Sequence, residues 1–285
     1  MSTYVLSTAH LPQRRFEIHH RAWRRPFQWL ERGWQDLRAA PVISLLHGLV
    51  IGLLVAAVGR WLGASEPFFL VPFAFGGFLI IAPVLALSLL ALAKQREHGP
   101  RVDGLGEDAS KPPLSALALL SRNASSLGLF GLFLLLVFIN WIMLSNLLFG
   151  GVFHELMPTY DQVRPLPVMF AESWPFALIF GGLALLLAAL VFRASALALP
   201  LMVDHKIDPF NAAFASWRAV GENAATMALW ALLLALLTGL GLLTFGLGFI
   251  VLMPWMANAS WHGYRDILRL QSEDDGKQHG VSDAS

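Results

Sequence analysis

Cysteine is absent from the 285 residues, which removes disulfides, thiolate zinc sites, iron–sulfur ligation and cysteine nucleophiles together. Any metal or haem would have to rest on histidine. Charge is also scarce: 14% of residues are charged against 56% hydrophobic, with a mean hydropathy of +0.60, and a soluble domain with a charged surface is excluded. No Walker pattern, GxSxG, HExxH or paired carboxylates occurs, so enzyme chemistry has no visible carrier and no cofactor is expected. The Gly-Leu-Gly pairs flanking Thr244 lack the strand and the GxGxxG spacing of a dinucleotide site. The opening MSTYVLSTAH lacks a basic region followed by an apolar one, so no cleavable signal peptide is expected.

Long uncharged runs are what the chain does have. Val42–Leu62, Phe68–Ala93, Leu127–Phe149 and Trp174–Val203 are each near the roughly 20 residues a helix needs to cross a hydrocarbon core. The last run, Thr226–His262, would be about 55 Å long as one helix, nearly twice that core. The glycines of TGLGLLTFGLG divide it into 226–243 and 246–263. The reading is an all-α polytopic transmembrane bundle of about six spans: 42–62, 68–93, 127–149, 174–203, 226–243 and 246–263. Residues 1–25 form a basic arm, 26–270 one membrane domain, and 271–285 a disordered tail. Arginine and lysine concentrate before the first span, after the second, after the fourth and after the last, which places both termini in the cytoplasm.

Seven arginines lie between Arg14 and Arg38. Near an anionic leaflet each contributes about 1 kcal/mol, so Arg14, Arg15, Arg21, Arg24 and Arg25, with Trp29 and Trp34, are the expected lipid-surface residues. The expected polyanion is lipid, not nucleic acid. PFQWLERGW at Pro26 and PFNAAFASW at Pro209 share Pro-Phe and a tryptophan eight residues after the proline, and LSALALLSR after Pro113 is a weaker copy. In the first copy Phe27, Leu30, Trp34 and Leu37 share a helical face; Phe210, Phe214 and Trp217 do so in the copy at Pro209. These segments read as amphipathic helices in the inner interface, and the chain as a threefold repeat of one such helix plus two spans.

Ionisable and polar groups within spans are candidate sites. Arg193 has two readings: a cation buried in the inner leaflet that needs a partner, or the end of a span snorkelling to headgroups. Asn140, Ser145 and Asn146 make a polar patch on the third span, suited to interhelical hydrogen bonds or to a substrate path. His47, His205 and His262 fall near inner helix ends, where they could ligate a shared haem or metal or serve as caps and interface donors. Gly48, Gly52 and Ala56, with Gly59 and Gly63, give small-residue spacing for close helix packing. Pro83, Pro200 and Pro254 recur as helix-kink positions.

The stretches FQWLERGWQDLRAAP (Phe27–Pro41), LPLMVDHKIDPFNAAFASWRAVGEN (Leu199–Asn223) and WHGYRDIL (Trp261–Leu268) together resemble an uncharacterised bacterial integral-membrane family, a domain of unknown function. Some of its members carry a cytochrome c oxidase subunit label. The resemblance implies a bacterial inner membrane and supplies no activity. A catalytic oxidase subunit has about twelve helices and several intramembrane histidines, which this chain does not match. The expected role is a non-enzymatic inner-membrane protein, an accessory or assembly factor of a membrane complex. The alternatives are a small-molecule transporter and a haem- or metal-binding membrane protein.

Overall fold

A computed structural model describes residues 2–6, 14–64, 85–97, 121, 123–153 and 174–270. Most of the expected second span, the loop at 98–113, the third repeat copy and the tail from 271 lie outside the described residues. The elements run β1 (Ser2–Leu6), β2 (Arg14–Ile18), α1 (Arg25–Ala39), α2 (Pro41–Ala64), α3 (Leu87–Glu97), α4 (Ala124–Phe153), α5 (Trp174–Ser195), α6 (Ala198–Asp204), α7 (Pro209–Glu222), α8 (Ala224–Leu243), α9 (Phe249–Ile267) and β3 (Leu268–Leu270). The architecture is an all-α membrane helical bundle. Among the described residues four stretches are long and apolar enough to cross a membrane: Pro41–Arg60, Ala124–Leu148, Trp174–Asp204 and Ala224–Leu243.

Local sequence accounts for several of the boundaries. Proline stands in the first turn of α1 and of α7, where its missing N–H would have no partner anyway. Asp208 caps α7 by accepting from the Asn211 N–H at 3.0 Å. The long final run breaks at Thr244–Gly248, between α8 and α9. Gly246 there has φ 88°, a conformation glycine adopts without a Cβ penalty. Thr244 Oγ1 donates to the Gly241 carbonyl at 2.8 Å and accepts from the Gly248 N–H at 2.7 Å.

The other break, between α5 and α6, is built by a neighbour. Ser216 of α7 donates from Oγ to the Arg193 carbonyl at 2.9 Å and accepts from the Leu197 N–H at 3.1 Å. A fully buried hydroxyl thus occupies the gap in the helical ladder and satisfies both freed backbone groups, a recognised cause of a kink.

Helix α9 is the axle. Its residues Phe249, Leu252, Met253, Met256, Ala257, Ala259, Trp261, Tyr264 and Ile267 are all buried, packed chiefly by α1, α2 and α3. Close approach is set by small residues: an added Cβ at Gly33 of α1 would lie 2.6 Å from the Ala259 nitrogen, and one at Gly263 would lie 3.0 Å from the Trp29 ring. Gly48 and Gly52 of α2 face Ile250 and Gly246, while none of the described residues lies within 4 Å of an added Cβ at Gly59. The sequence spacing therefore marks a seam for α9 at Gly48 and Gly52.

One element lies outside a purely helical reading. β1, β2 and β3 form an antiparallel sheet in that order, with Phe16, Glu17 and Ile18 opposite Leu270, Arg269 and Leu268. It uses residues of the basic arm, and it joins the beginning of the described chain to its end.

Candidate functional site

The last two turns of α9, Trp261-His262-Gly263-Tyr264-Arg265-Asp266, carry a polar network at one end of the bundle. Helical periodicity divides it into two faces. Trp261, Tyr264 and Arg265 point toward α3 and α6, while His262 and Asp266 point toward α1 and the segment following β2.

On the first face the centre is Asp204, whose side chain is 4% exposed. Lys94 Nζ stands 3.1 Å from Oδ1, and Arg265 Nη1 and His205 Nε2 stand 3.4 and 3.1 Å from Oδ2. The Tyr264 hydroxyl donates to Oδ2 at 2.7 Å. Lys94 also donates to the carbonyls of Val203 and Asp204 at the end of α6, where a cation complements unpaired carbonyls. Glu97 completes the face, accepting from Trp261 Nε1 at 2.8 Å and from Arg265 Nε at 3.0 Å. A buried carboxylate needs this many donors, because leaving any of its lone pairs dry costs more than a surface pair returns.

On the second face Asp266 holds Arg25 Nε at 2.8 Å, Arg21 Nε at 3.2 Å and Trp29 Nε1 at 3.0 Å. Its backbone carbonyl accepts two more hydrogen bonds from Arg21. The Arg21 N–H donates to Asn223 Oδ1 at 2.8 Å, and Thr226 returns a hydrogen bond to the Arg21 carbonyl. His262 Nε2 lies 2.6 Å from Asp36 Oδ2. Arg96 of α3 donates to the Ala40 carbonyl and to Ser44 Oγ, tying the α1–α2 junction to the end of α3. Asn123, just before α4, donates to the carbonyls of Met202 and Ile207. The starts of α2, α4 and α8 and the ends of α3, α6 and α9 are thus linked at this one end.

Burial alone would raise the Asp266 carboxyl, but hydrogen bonds from Arg25 and Trp29 and the charges of Arg21 and Arg25 outweigh it and hold the group below its ordinary value. A carboxyl lowered on folding contributes stability that is present above the unfolded pKa, near 4, and lost as pH falls through the folded one. Acidifying from pH 7 to below about 4 is therefore expected to release the arm. Protection of the Arg21–Trp29 amides in hydrogen exchange should fall with it. Asp266→Asn should remove that pH dependence and lower stability by ~2–3 kcal/mol, less than a fully dry pair because both guanidiniums keep partial solvent contact.

The expected site residues fall in several places. Trp29 was expected at the lipid surface, but it is 0% exposed, packed on Gly263 with its ring edge-on to Trp230 at 5.7 Å. The buried stripe of α1 is Pro26, Trp29, Gly33 and Leu37; it shares Leu37 with the expected face, and its other three positions each stand one residue before Phe27, Leu30 and Trp34. Arg21 and Arg25 pair with Asp266, whereas Arg24 is exposed beside the Trp23 ring at 4.9 Å. Trp34 packs against Trp255 at 5.2 Å. The main chain of Arg14 and Arg15 belongs to β2.

Asn140 and Asn146 lie on the exposed side of α4, Asn146 bonded to its own helix at the Ile142 carbonyl, while Ser145 is buried. The three are not one patch, because their positions spread around the helix. Trp141 Nε1 and Ser145 Oγ, both inward, have no hydrogen-bond partner among the described residues, nor does the amide nitrogen of buried Asn258. His47 bonds the Ile43 carbonyl at 2.8 Å, and His205 and His262 contact Asp204 and Asp36, so each histidine has a different partner. Among the described residues no group of three or more histidine or carboxylate side chains is placed to hold a metal ion.

Asp204, Lys94, Glu97, Tyr264 and Asp266 carry the network and were not singled out in the sequence. The signal that marks them is the charged and aromatic pattern of WHGYRD at the end of an apolar helix, since such groups need buried partners once packed.

Comparison with known proteins agrees with this architecture. No curated protein and no solved structure matches the chain. Residues 70–204, from before α3 to the end of α6, match the family model described as predicted integral membrane protein, DUF2189, a domain of unknown function, and the chain is an integral membrane protein similar to that family.

Proposed function

We propose that the protein is a non-enzymatic accessory or assembly factor of another membrane complex in a bacterial inner membrane. It crosses six times with both termini in the cytoplasm. The observation that supports this reading is how the charged side chains at the networked end are used. Asp204, Asp266, Asp36 and Glu97 each bond donors of the protein itself, so the polar chemistry holds helix ends together. The outward faces of α2, α4, α5 and α8 are lined by exposed Leu, Ile, Val and Phe, which suits packing against lipid or another membrane protein. The pairing of β2 with β3 supports an even number of crossings, and the arginine-rich arm supports the cytoplasmic side for both ends.

Affinity purification of the full chain from its native membranes, followed by mass spectrometry, tests the role. A stoichiometric membrane-protein partner is expected. Recovery of the protein alone across several mild detergents would overturn the accessory reading.

A further inference from the structure

Arg193, in the last turn of α5, is held by α7. Its Nε donates to the Trp217 carbonyl at 3.1 Å, and its guanidinium carbon stands 4.4 Å from the centroid of the Trp217 ring. Gly221, one turn further along α7, leaves the space the group occupies: an added Cβ there would fall 2.5 Å from Nη2. A hydrogen bond, a ring face and a missing side chain thus fix one guanidinium in one place.

An arginine has five N–H donors, and this position engages only Nε among the described residues. The two Nη groups keep the planar fork that fits a phosphate or carboxylate bidentately. The surroundings choose between those anions. Phe210, Phe214, Trp217 and Gly221 form one stripe along α7 at helical spacing, with the three aromatics 81%, 50% and 36% exposed. The opposite face, Ala212, Ala215, Ala219 and Val220, is packed into the bundle. Down α5 from Arg193 run Leu190 and Leu186, also exposed and one and two turns away on the same face. Arg218 of α7 adds a second cation, beside the Phe214 ring at 5.7 Å, while Glu222, next to Gly221, lies 3.8 Å from His20 Nε2. A fixed cationic fork at the head of an apolar strip, flanked by aromatics, matches an amphiphile whose anionic group joins acyl chains.

We propose that the α5–α7 junction is a binding site for one anionic phospholipid. Its phosphodiester is held by the Nη edge of Arg193, and an acyl chain lies along Leu190 and Leu186. The site is independent of the accessory role and of the basic arm.

Native mass spectrometry of the purified full-length protein, titrated with phosphatidylglycerol in detergent, tests it. The parent should retain one lipid more tightly than any further ones. Arg193→Gln should lower the affinity for that first lipid about tenfold, the loss of a charge-assisted hydrogen-bond pair. Gly221 is exposed and a Cβ there meets only the Arg193 side chain among the described residues, so Gly221→Ala should lower lipid affinity severalfold by displacing the guanidinium while the melting temperature falls no further than in Arg193→Gln. Retention of the first lipid by both variants as in the parent would overturn the site. So would its displacement by millimolar inorganic phosphate, which would assign the fork to a free anion.

Discussion

Asp204→Asn is expected to be the most damaging conservative substitution in the chain, costing ~3–5 kcal/mol. The side chain is 4% exposed and meets Lys94, His205 and Arg265 in addition to the Tyr264 hydroxyl. Asparagine keeps the volume but loses the charge, and it turns one acceptor into a donor among groups that are themselves donors. Lys94, 14% exposed, would then face a neutral amide in place of this carboxylate. Against the roughly 5–15 kcal/mol that holds a typical fold together, the variant should lose its monodisperse peak in gel filtration at a temperature the parent tolerates. Lys94→Met should cost less, because Asp204 keeps three donors. The double variant should be no worse than Asp204→Asn alone, since neighbours sharing one ion pair are not additive. Parent-like melting of Asp204→Asn would show that the network does not hold the bundle.

The second large effect lies where two backbones touch. A Cβ added at Gly48 would fall onto the Ile250 carbonyl oxygen and lie 2.8 Å from the carbonyl carbon. Neither helix can yield by rotating a side chain. Gly48→Ala must force α2 away from α9, and overpacking of this kind costs about 1–3 kcal/mol or more; Gly48→Leu should prevent folding. Gly59→Ala is the matched control, because no described residue comes within 4 Å of a Cβ at that position. Alanine is the better helix former by up to about 1 kcal/mol, so its melting temperature should stay the same or rise slightly. Equal tolerance at positions 48 and 59 would contradict the α2–α9 seam.

What was legible in the sequence follows the range of the interactions involved. The break between α8 and α9 was readable because it rests on local chemistry: an apolar run too long for the bilayer, interrupted by glycines, one of which takes a positive φ at Gly246. The glycine spacing from Gly48 to Gly52 likewise announced a close contact, though only the folded chain supplies α9 as the partner. The apolar side of α1 was harder. Phe27, Leu30 and Trp34 adjoin the stripe of Pro26, Trp29 and Gly33, and periodicity cannot choose between overlapping stripes. What decides is Gly263, across the chain, which leaves room for the Trp29 ring. On α7 the periodicity leaves one choice, because Phe210, Phe214 and Trp217 share an exposed face opposite buried alanines.

The candidate site was the least legible part. Asp204 and Lys94 are 110 residues apart, and Asp266 meets Arg25 across 241. Each of these residues reads on its own as a flanking charge at the end of a span. Their burial is set by partners that no local window contains. The β2–β3 pairing, from opposite ends of the chain, escaped for the same reason, since a short strand joined by long-range contacts leaves only a brief apolar alternation.

The central claim is that the starts of α2, α4 and α8 and the ends of α3, α6 and α9 meet on one side of the membrane, leaving the α8–α9 turn on the other. The absence of cysteine makes it directly measurable, because each introduced cysteine is the only thiol. Single cysteines at the exposed positions His20, Lys206, Arg269 and Phe245 would be labelled with a membrane-impermeant maleimide in intact cells and in inverted vesicles. Positions 20, 206 and 269 should label only in inverted vesicles and position 245 only in intact cells. Labelling of position 269 from the side opposite to position 20, or of position 245 from the same side as position 206, would contradict it.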